Sequence, residues 1–198
     1  LPEREPTLDE VLAAVRNLPQ YKFQRAQIGR GQLAVNIGCD IDLALLRRDF
    51  GAVNVDINRW SASNNRATAA DRIHDVRKPF PCHACFDVAI LGDILEHFSD
   101  DDVALALRNT SAIVKPGGRI VITCPEDYRT AAEQGETAEH VPGVPKNHPR
   151  PVTIDMMLGW CDAAGLQVLG HDPIDYGFCK GWGVVALVGA WPEGTNEC

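Results

Sequence analysis

The chain predicts an open α/β sheet of seven strands, mostly parallel, with helices on both faces and an antiparallel strand at the C-terminal edge. Three observations carry this. From Leu33 onward, short apolar runs alternate with helical patterns, the order that specifies a parallel sheet. The run Phe86-Asp-Val-Ala-Ile-Leu91 is apolar on both faces, as interior parallel strands usually are. The last two runs, Leu166 to Gly170 and Gly183 to Ala190, lie too close together for a helical crossover, so they should pair antiparallel.

The elements follow in order. Thr7-Leu-Asp-Glu10 is a capping box, and Leu8, Val11, Leu12 and Val15 recur at helical spacing up to a break at Pro19. Gln20 to Gln32 is polar, holds Gly29 and Gly31, and reads as a lead-in loop. Leu33 to Ile37 is the first strand. Ile41, Leu43, Leu45 and Leu46 mark a short helix ended near Gly51, and Ala52 to Ile57 is the second strand. Arg59 to Asp71 is weakly patterned and reads as loop; Ile73 to Val76 is a short third strand and Phe86 to Leu91 the fourth. Ser99, followed by three aspartates, caps a helix through Val114, with carboxylates at the positive end of its dipole. Pro116-Gly117-Gly118 turns the chain into the fifth strand, Arg119 to Cys124. Thr153 caps another helix through Ala164, stopped by Gly165. The expected organisation is an N-terminal helix and lead-in over 1–32, then one domain over 33–198 in which 126–151 forms a lid or acceptor loop.

Composition narrows the function classes. At 198 residues, with 45% hydrophobic and 23% charged residues, the chain is long enough for a sizeable core. A net charge of −8 argues against an extended nucleic-acid footprint, and Arg47-Arg48 and Arg77-Lys78 are isolated basic pairs. No apolar run reaches the ~20 residues of a membrane span, and the amino terminus lacks the basic-then-apolar profile of a secretory signal. Seven cysteines, an odd number, fit reduced thiols and a cytoplasmic setting. Cys82-His83-Ala84-Cys85 is a C-x-x-C, but no second pair follows to complete a zinc site, and it does not open a helix as a redox pair would. A surface loop with two incidental thiols is the expectation, with no metal ligand assigned.

The first two strands mark a pocket. Leu33-Ala-Val-Asn-Ile-Gly38 runs an apolar strand into a glycine turn, and Val53-Asn-Val-Asp56-Ile57 ends a second strand on a carboxylate. In open α/β sheets ligands sit beyond the carboxyl ends of the strands, where such an acid can accept from both ribose hydroxyls. Gly38 stands alone where a dinucleotide fingerprint needs three glycines. Asp40 and Asp42 would repel a pyrophosphate but not a cationic nucleoside. Asp42 serves equally well as the N-cap of the next helix, and Asp56 and Asp75 also read as strand-ending turn formers.

With these segments in place, the chain resembles the class I S-adenosylmethionine-dependent methyltransferases of small-molecule type, from about Leu33 to Pro125 and more loosely to Ala190. Val35-Asn-Ile-Gly38-Cys39 looks like their first-strand glycine motif and Val53 to Ile57 like their ribose-binding strand end. Phe86 to His97 resembles their fourth-strand motif, and Val114-Lys-Pro-Gly117-Gly118-Arg-Ile-Val-Ile their turn into strand five. The resemblance implies a Rossmann-like sheet and S-adenosylmethionine as cofactor. It implies that Asp56, with Ile57, holds the ribose, that Asp75 and the Val76 backbone read the adenine, and that Gly92 and Asp93 border the donor's methionyl part. The match departs at Asn36, where an acidic residue is usual, and at Asp40 and Asp42, where glycines are usual; Asn36 can still position the ammonium by hydrogen bonding, and Asp40 can supply the missing carboxylate. The interval from this turn to Asp56 is also about one helical turn shorter than usual.

Asp93, Glu96 and His97 fall at i, i+3 and i+4, so one helical turn would set them on one side. This D-x-x-E-H is similar to the E-x-x-E-H of quinone-pathway O-methyltransferases, whose acidic residues can hold a divalent metal. The alternative is that Glu96 and His97 only fix the strand-to-helix turn. His97 is the first candidate general base, and His148 and His140, in the 126–151 segment beside Tyr128 and Arg150, are the others. Tyr176, Phe178 and Trp182 either wall an apolar acceptor or pack under the sheet edge. The expected partner is a small-molecule acceptor with an oxygen or nitrogen nucleophile, with no nucleic acid and no membrane. The competing reading is a methyltransferase-like module that binds without turnover, motivated by the altered glycine turn.

Overall fold

A computed structural model describes residues 8–39, 44–57, 70–126, 152–177 and 180–190. The described elements run α1 (Leu8–Asn17), α2 (Pro19–Ala26), β1 (Ala34–Ile37), α3 (Ala44–Phe50), β2 (Val53–Asp56), β3 (Arg72–Ile73) and β4 (Phe86–Gly92). A 3-10 turn (Leu95–His97), α4 (Asp100–Ile113), β5 (Val114–Pro125), α5 (Ile154–Ala163), β6 (Gln167–Asp175) and β7 (Lys180–Leu187) complete them. They form a seven-stranded sheet in the order β3-β2-β1-β4-β5-β7-β6. The first five strands are parallel, and β7 runs antiparallel to both of its neighbours. The antiparallel strand is thus present as expected, one place in from the edge that β6 occupies.

Side-chain alternation sorts the core onto the two faces of this sheet. Val35, Ile37, Ala89, Leu91, Ile120 and Ile122 meet α4 and α5 through Val103, Leu107, Met157 and Cys161. Ala34, Val88, Ile90 and Val121 meet Tyr21, Leu45 and Leu46 on the other face. Both faces are covered, so the central strands read as nearly continuous apolar runs.

Three expectations change on contact with the structure. Gln20 to Gln32 is not all loop, because Pro19–Ala26 forms a second helix with proline in its first turn. Proline there starts a helix, since its missing N–H is one that no intrahelical partner would satisfy. The third strand is shorter than expected and ends at Ile73. The Pro116-Gly117-Gly118 turn lies inside β5 as a bulge: Phe86 pairs with Val114 and Val88 already with Arg119. Gly117 has φ +77°, and a Cβ on Gly118 would stand 2.7 Å from the Asp87 carbonyl oxygen.

The cap of α4 forms as the sequence predicts, with Ser99 Oγ accepting from the Asp102 N–H at 3.2 Å. Ser99→Ala should lower unfolding free energy by about 1 kcal/mol. A urea titration with an unchanged midpoint would show that the three aspartates hold that end without the cap.

Candidate active site

The strand order reverses between β1 and β4, the place where open α/β sheets hold ligands beyond the C-terminal ends of their strands. Ile37 pairs with Val55 on one side and Leu91 on the other. The next residue of each strand is therefore Gly38, Asp56 or Gly92, and these three stand in one row across the sheet, which Gly92 continues to Thr123 and Asp56 to Ile73.

Gly38 sits at the turn with φ +75°, and a Cβ there would come 2.8 Å from Ile94 Cδ1. Both facts require glycine, the first by backbone sterics and the second by space. Its N–H donates to the Val55 carbonyl at 2.9 Å, which locks the turn onto β2. Asn36 is fully buried, and its Nδ2 donates to Asn54 Oδ1 at 3.3 Å. Asp56 ends β2 half-buried with Ile57 exposed beyond it, and its backbone carbonyl accepts from the His74 N–H at 2.8 Å.

Asp75 and Val76 lie in the turn after β3. Arg77 grips the Asp75 carboxylate from its own side chain and backbone, which holds that carboxyl below the usual carboxylate range. Val76 is buried, and its carbonyl accepts from Asn109 Nδ2 at 2.9 Å, tying the turn to α4.

Asp93 follows Gly92 in a left-handed conformation, φ +52°. Its Oδ1 accepts from Tyr176 OH at 2.6 Å and from Thr123 Oγ1 at 2.9 Å, and Thr123 Oγ1 in turn accepts from Gln24 Nε2 at 2.9 Å. Burial pushes the Asp93 carboxyl up to about 6 in spite of these donors. Glu96 is 2% exposed, and burial followed by repulsion from Asp93 pushes it well above its ordinary range. Its Oε2 accepts from Cys124 Sγ at 3.6 Å, while Oε1 has no hydrogen-bond partner among the described residues. His97 Nε2 approaches Glu96 Oε1 at 3.8 Å, longer than a hydrogen bond.

The structure thus brings Gly38, Asp56, Gly92 and Asp93 to one sheet edge, with Asp75 and Val76 in the adjoining turn and Glu96 and His97 on the 3-10 turn. Asp40, Asp42, Tyr128, His140, His148, Arg150 and Phe178 lie outside the described residues. Glu96 and His97 sit on a short 3-10 turn that Asp93 precedes, so no α-helical turn carries all three. Among the described residues no group of His, Cys, Asp and Glu forms a metal cluster. The Cys82 thiol is pushed up to about 11 by burial and by Cys85, the reverse of an activated redox thiol.

Sequence reasoning missed Gln24 and Thr123, and it read Tyr176 only as wall or packing. One signal was available. A Cβ on Gly181 would stand 2.5 Å from the Tyr176 ring, and one on Gly183 2.5 Å from the Phe23 ring. Alternate glycines in a strand mark a face where other side chains approach closely.

A family of methyltransferase domains matches residues 22–171. Comparison by sequence with curated proteins finds no match. Solved structures similar to this chain include a 1,6-didemethyltoxoflavin-N1-methyltransferase of Burkholderia thailandensis bound to S-adenosylhomocysteine, 18% identical with TM-score 0.65, covering 90% of this chain and 79% of that one. An S-adenosylmethionine-dependent methyltransferase of Mesorhizobium loti is 15% identical with TM-score 0.62, covering 87% and 99%. A geranyl diphosphate C-methyltransferase of Streptomyces coelicolor is 12% identical with TM-score 0.62, covering 95% and 86%. At these identities the structures speak to the fold, and it is the class I methyltransferase fold. The family match spans most of the chain, and the chain belongs to the methyltransferase-domain family in its class I, Rossmann-like form.

Proposed function

We propose that this chain moves a methyl group from S-adenosylmethionine to an oxygen or nitrogen nucleophile of a small-molecule acceptor. The observation that carries the reading is the row of Gly38, Asp56 and Gly92 at the strand-order reversal, with Asp75 in the turn beside it. The residues present suit the donor. Gly38 leaves a cradle that a Cβ would close against Ile94. The acidic rim of Asp56, Asp75 and Asp93 suits a ligand carrying a sulfonium and an ammonium against a single carboxylate.

In this reading Asp56, backed by Ile57, holds the ribose hydroxyls, and Asp75 and the Val76 backbone hold the adenine. Asn36, Gly38, Asp40, Gly92 and Asp93 border the methionyl part. When bound, the donor supplies an activated methyl and leaves as a neutral thioether. The chain's task is then to align the acceptor and to take up its proton. His97, on the 3-10 turn after β4 with a side chain 34% exposed, is the base in this reading. His140 and His148 are the alternative bases from the 126–151 segment. Of the similar structures, one is an N-methyltransferase and one a C-methyltransferase of small molecules. A heteroatom acceptor is the choice here because on this reading His97, just after strand β4, is available to take its proton.

The test is calorimetry with S-adenosylhomocysteine, followed by transfer of labelled methyl to a panel of small phenols and amines. Saturable one-to-one binding in the micromolar range is expected. Absence of binding at millimolar nucleoside would overturn the reading, and tight binding with no transfer to any acceptor would favour a module that binds without turnover.

A further inference from the structure

We propose that Arg77 is a positioning residue that presents Asp75 to the exocyclic amino group of the donor's adenine, and that selectivity for adenine over hypoxanthine nucleosides depends on it. The inference rests on the pocket reading above and adds to it a residue and an atom.

Arg77 donates three hydrogen bonds to one carboxylate. Its backbone N–H and Nε reach Asp75 Oδ1 at 3.1 and 2.9 Å, and its Nη2 reaches Oδ2 at 2.9 Å. A carboxylate oxygen offers about two lone-pair directions. Among the described residues Oδ1 has both filled and Oδ2 has one, so Oδ2 is the atom with capacity for a further donor. The planar guanidinium fork also fixes the plane of the carboxylate, which a lysine could not do.

The rest of the arginine ties this grip to the neighbouring elements. Nη1 lies 3.6 Å from Asp102 Oδ2 in the first turn of α4, and Cζ lies 5.7 Å from the Phe98 ring centroid, directly after the 3-10 turn that holds Glu96 and His97. Asp75 is kept ionised by the same contact, chiefly through the Arg77 side-chain hydrogen bonds. An ionised carboxylate can only accept. Adenine presents an N–H there and satisfies it, whereas hypoxanthine presents a carbonyl oxygen, and two acceptors would face each other. A site built to hydrogen-bond one group rejects the analogue lacking it far more strongly than an apolar pocket would.

The experiment measures binding of S-adenosylhomocysteine and S-inosylhomocysteine to the full chain by calorimetry, and donor KM against kcat once an acceptor is known. The wild type should prefer the adenine compound. Arg77→Gln should weaken it about tenfold, the scale of one charged hydrogen bond, while barely changing the inosine compound, so that the ratio collapses. The loss should fall on donor KM rather than on kcat. Arg77→Lys should recover part of the affinity and less of the ratio, and it serves as the measured variant if the glutamine form fails to fold. Asp75→Asn, whose amide can donate to a carbonyl, should shift preference toward the inosine compound. Equal weakening of both nucleosides, or an unchanged ratio in a wild type that is selective, would overturn this inference alone. A wild type that binds neither compound overturns the pocket reading and this inference together.

Discussion

Asp56→Ala is expected to reduce affinity for S-adenosylhomocysteine by about two to three orders of magnitude with little change in the thermal unfolding midpoint. A carboxylate accepting from both hydroxyls of a ribose makes two charge-assisted hydrogen bonds, each of about 1.5–3 kcal/mol, and alanine removes both acceptors. The backbone at this position should stay put. β2 is paired along Val53–Val55 with β1, and the Asp56 backbone carbonyl accepts from the His74 N–H. Asp56→Asn keeps one acceptor oxygen and should retain part of the affinity. Calorimetry checks the first claim and a circular-dichroism melt the second. Unchanged affinity in the alanine variant would place the nucleoside elsewhere on the sheet, and a large fall in the melting midpoint would make Asp56 a structural residue first.

Local pattern made the sheet and half of the site legible. The strand ending on Gly38, the strand ending on Asp56 and the apolar run Phe86 to Gly92 are each short, contiguous signals, and parallel order follows from their alternation with helices. What escaped is what contact between distant segments decides. Pro19–Ala26 carries a polar sequence whose helicity rests on burying Tyr21 and Gln24, and the partner of Gln24 is Thr123, 99 residues away. The hold of Tyr176 on Asp93 spans 83 residues and rests on the β5-β7-β6 order, which puts the end of β6 near the end of β4. No spacing rule connects such positions. The third strand was overestimated for the opposite reason. Ile73 to Val76 has strand-like residues, but Arg77 folds Asp75 into a local turn through its own backbone N–H, and side-chain capture of this kind competes with ladder pairing.

Asp93→Asn should make the protein more stable at neutral pH while weakening its hold on the donor. The folded-state carboxyl is raised to about 6 from an ordinary 3.8, so between those values the folded chain holds a proton that the unfolded chain has lost. Stability therefore falls as pH rises through that window. Below it both states are protonated and the difference vanishes; above it the cost is constant, roughly 1–3 kcal/mol from a shift of about two units at ~1.4 kcal/mol each. Glu96, raised by burial and by the charge of Asp93, adds to the cost in the same direction. Asparagine is isosteric and neutral, its side-chain oxygen can still accept from Tyr176 and Thr123, and it tolerates the left-handed backbone at φ +52°. Urea unfolding of the variant should show a gain of that order at pH 7 that is gone at pH 4. Its donor affinity at pH 7 should fall, because the attraction for a cationic ligand is lost. A carboxylate that lowers the stability of the fold, yet is gripped by Thr123 of β5 and by Tyr176 just past β6, suits the cationic donor proposed above. A variant less stable than wild type at pH 7 would show instead that the charge at Asp93 serves the fold.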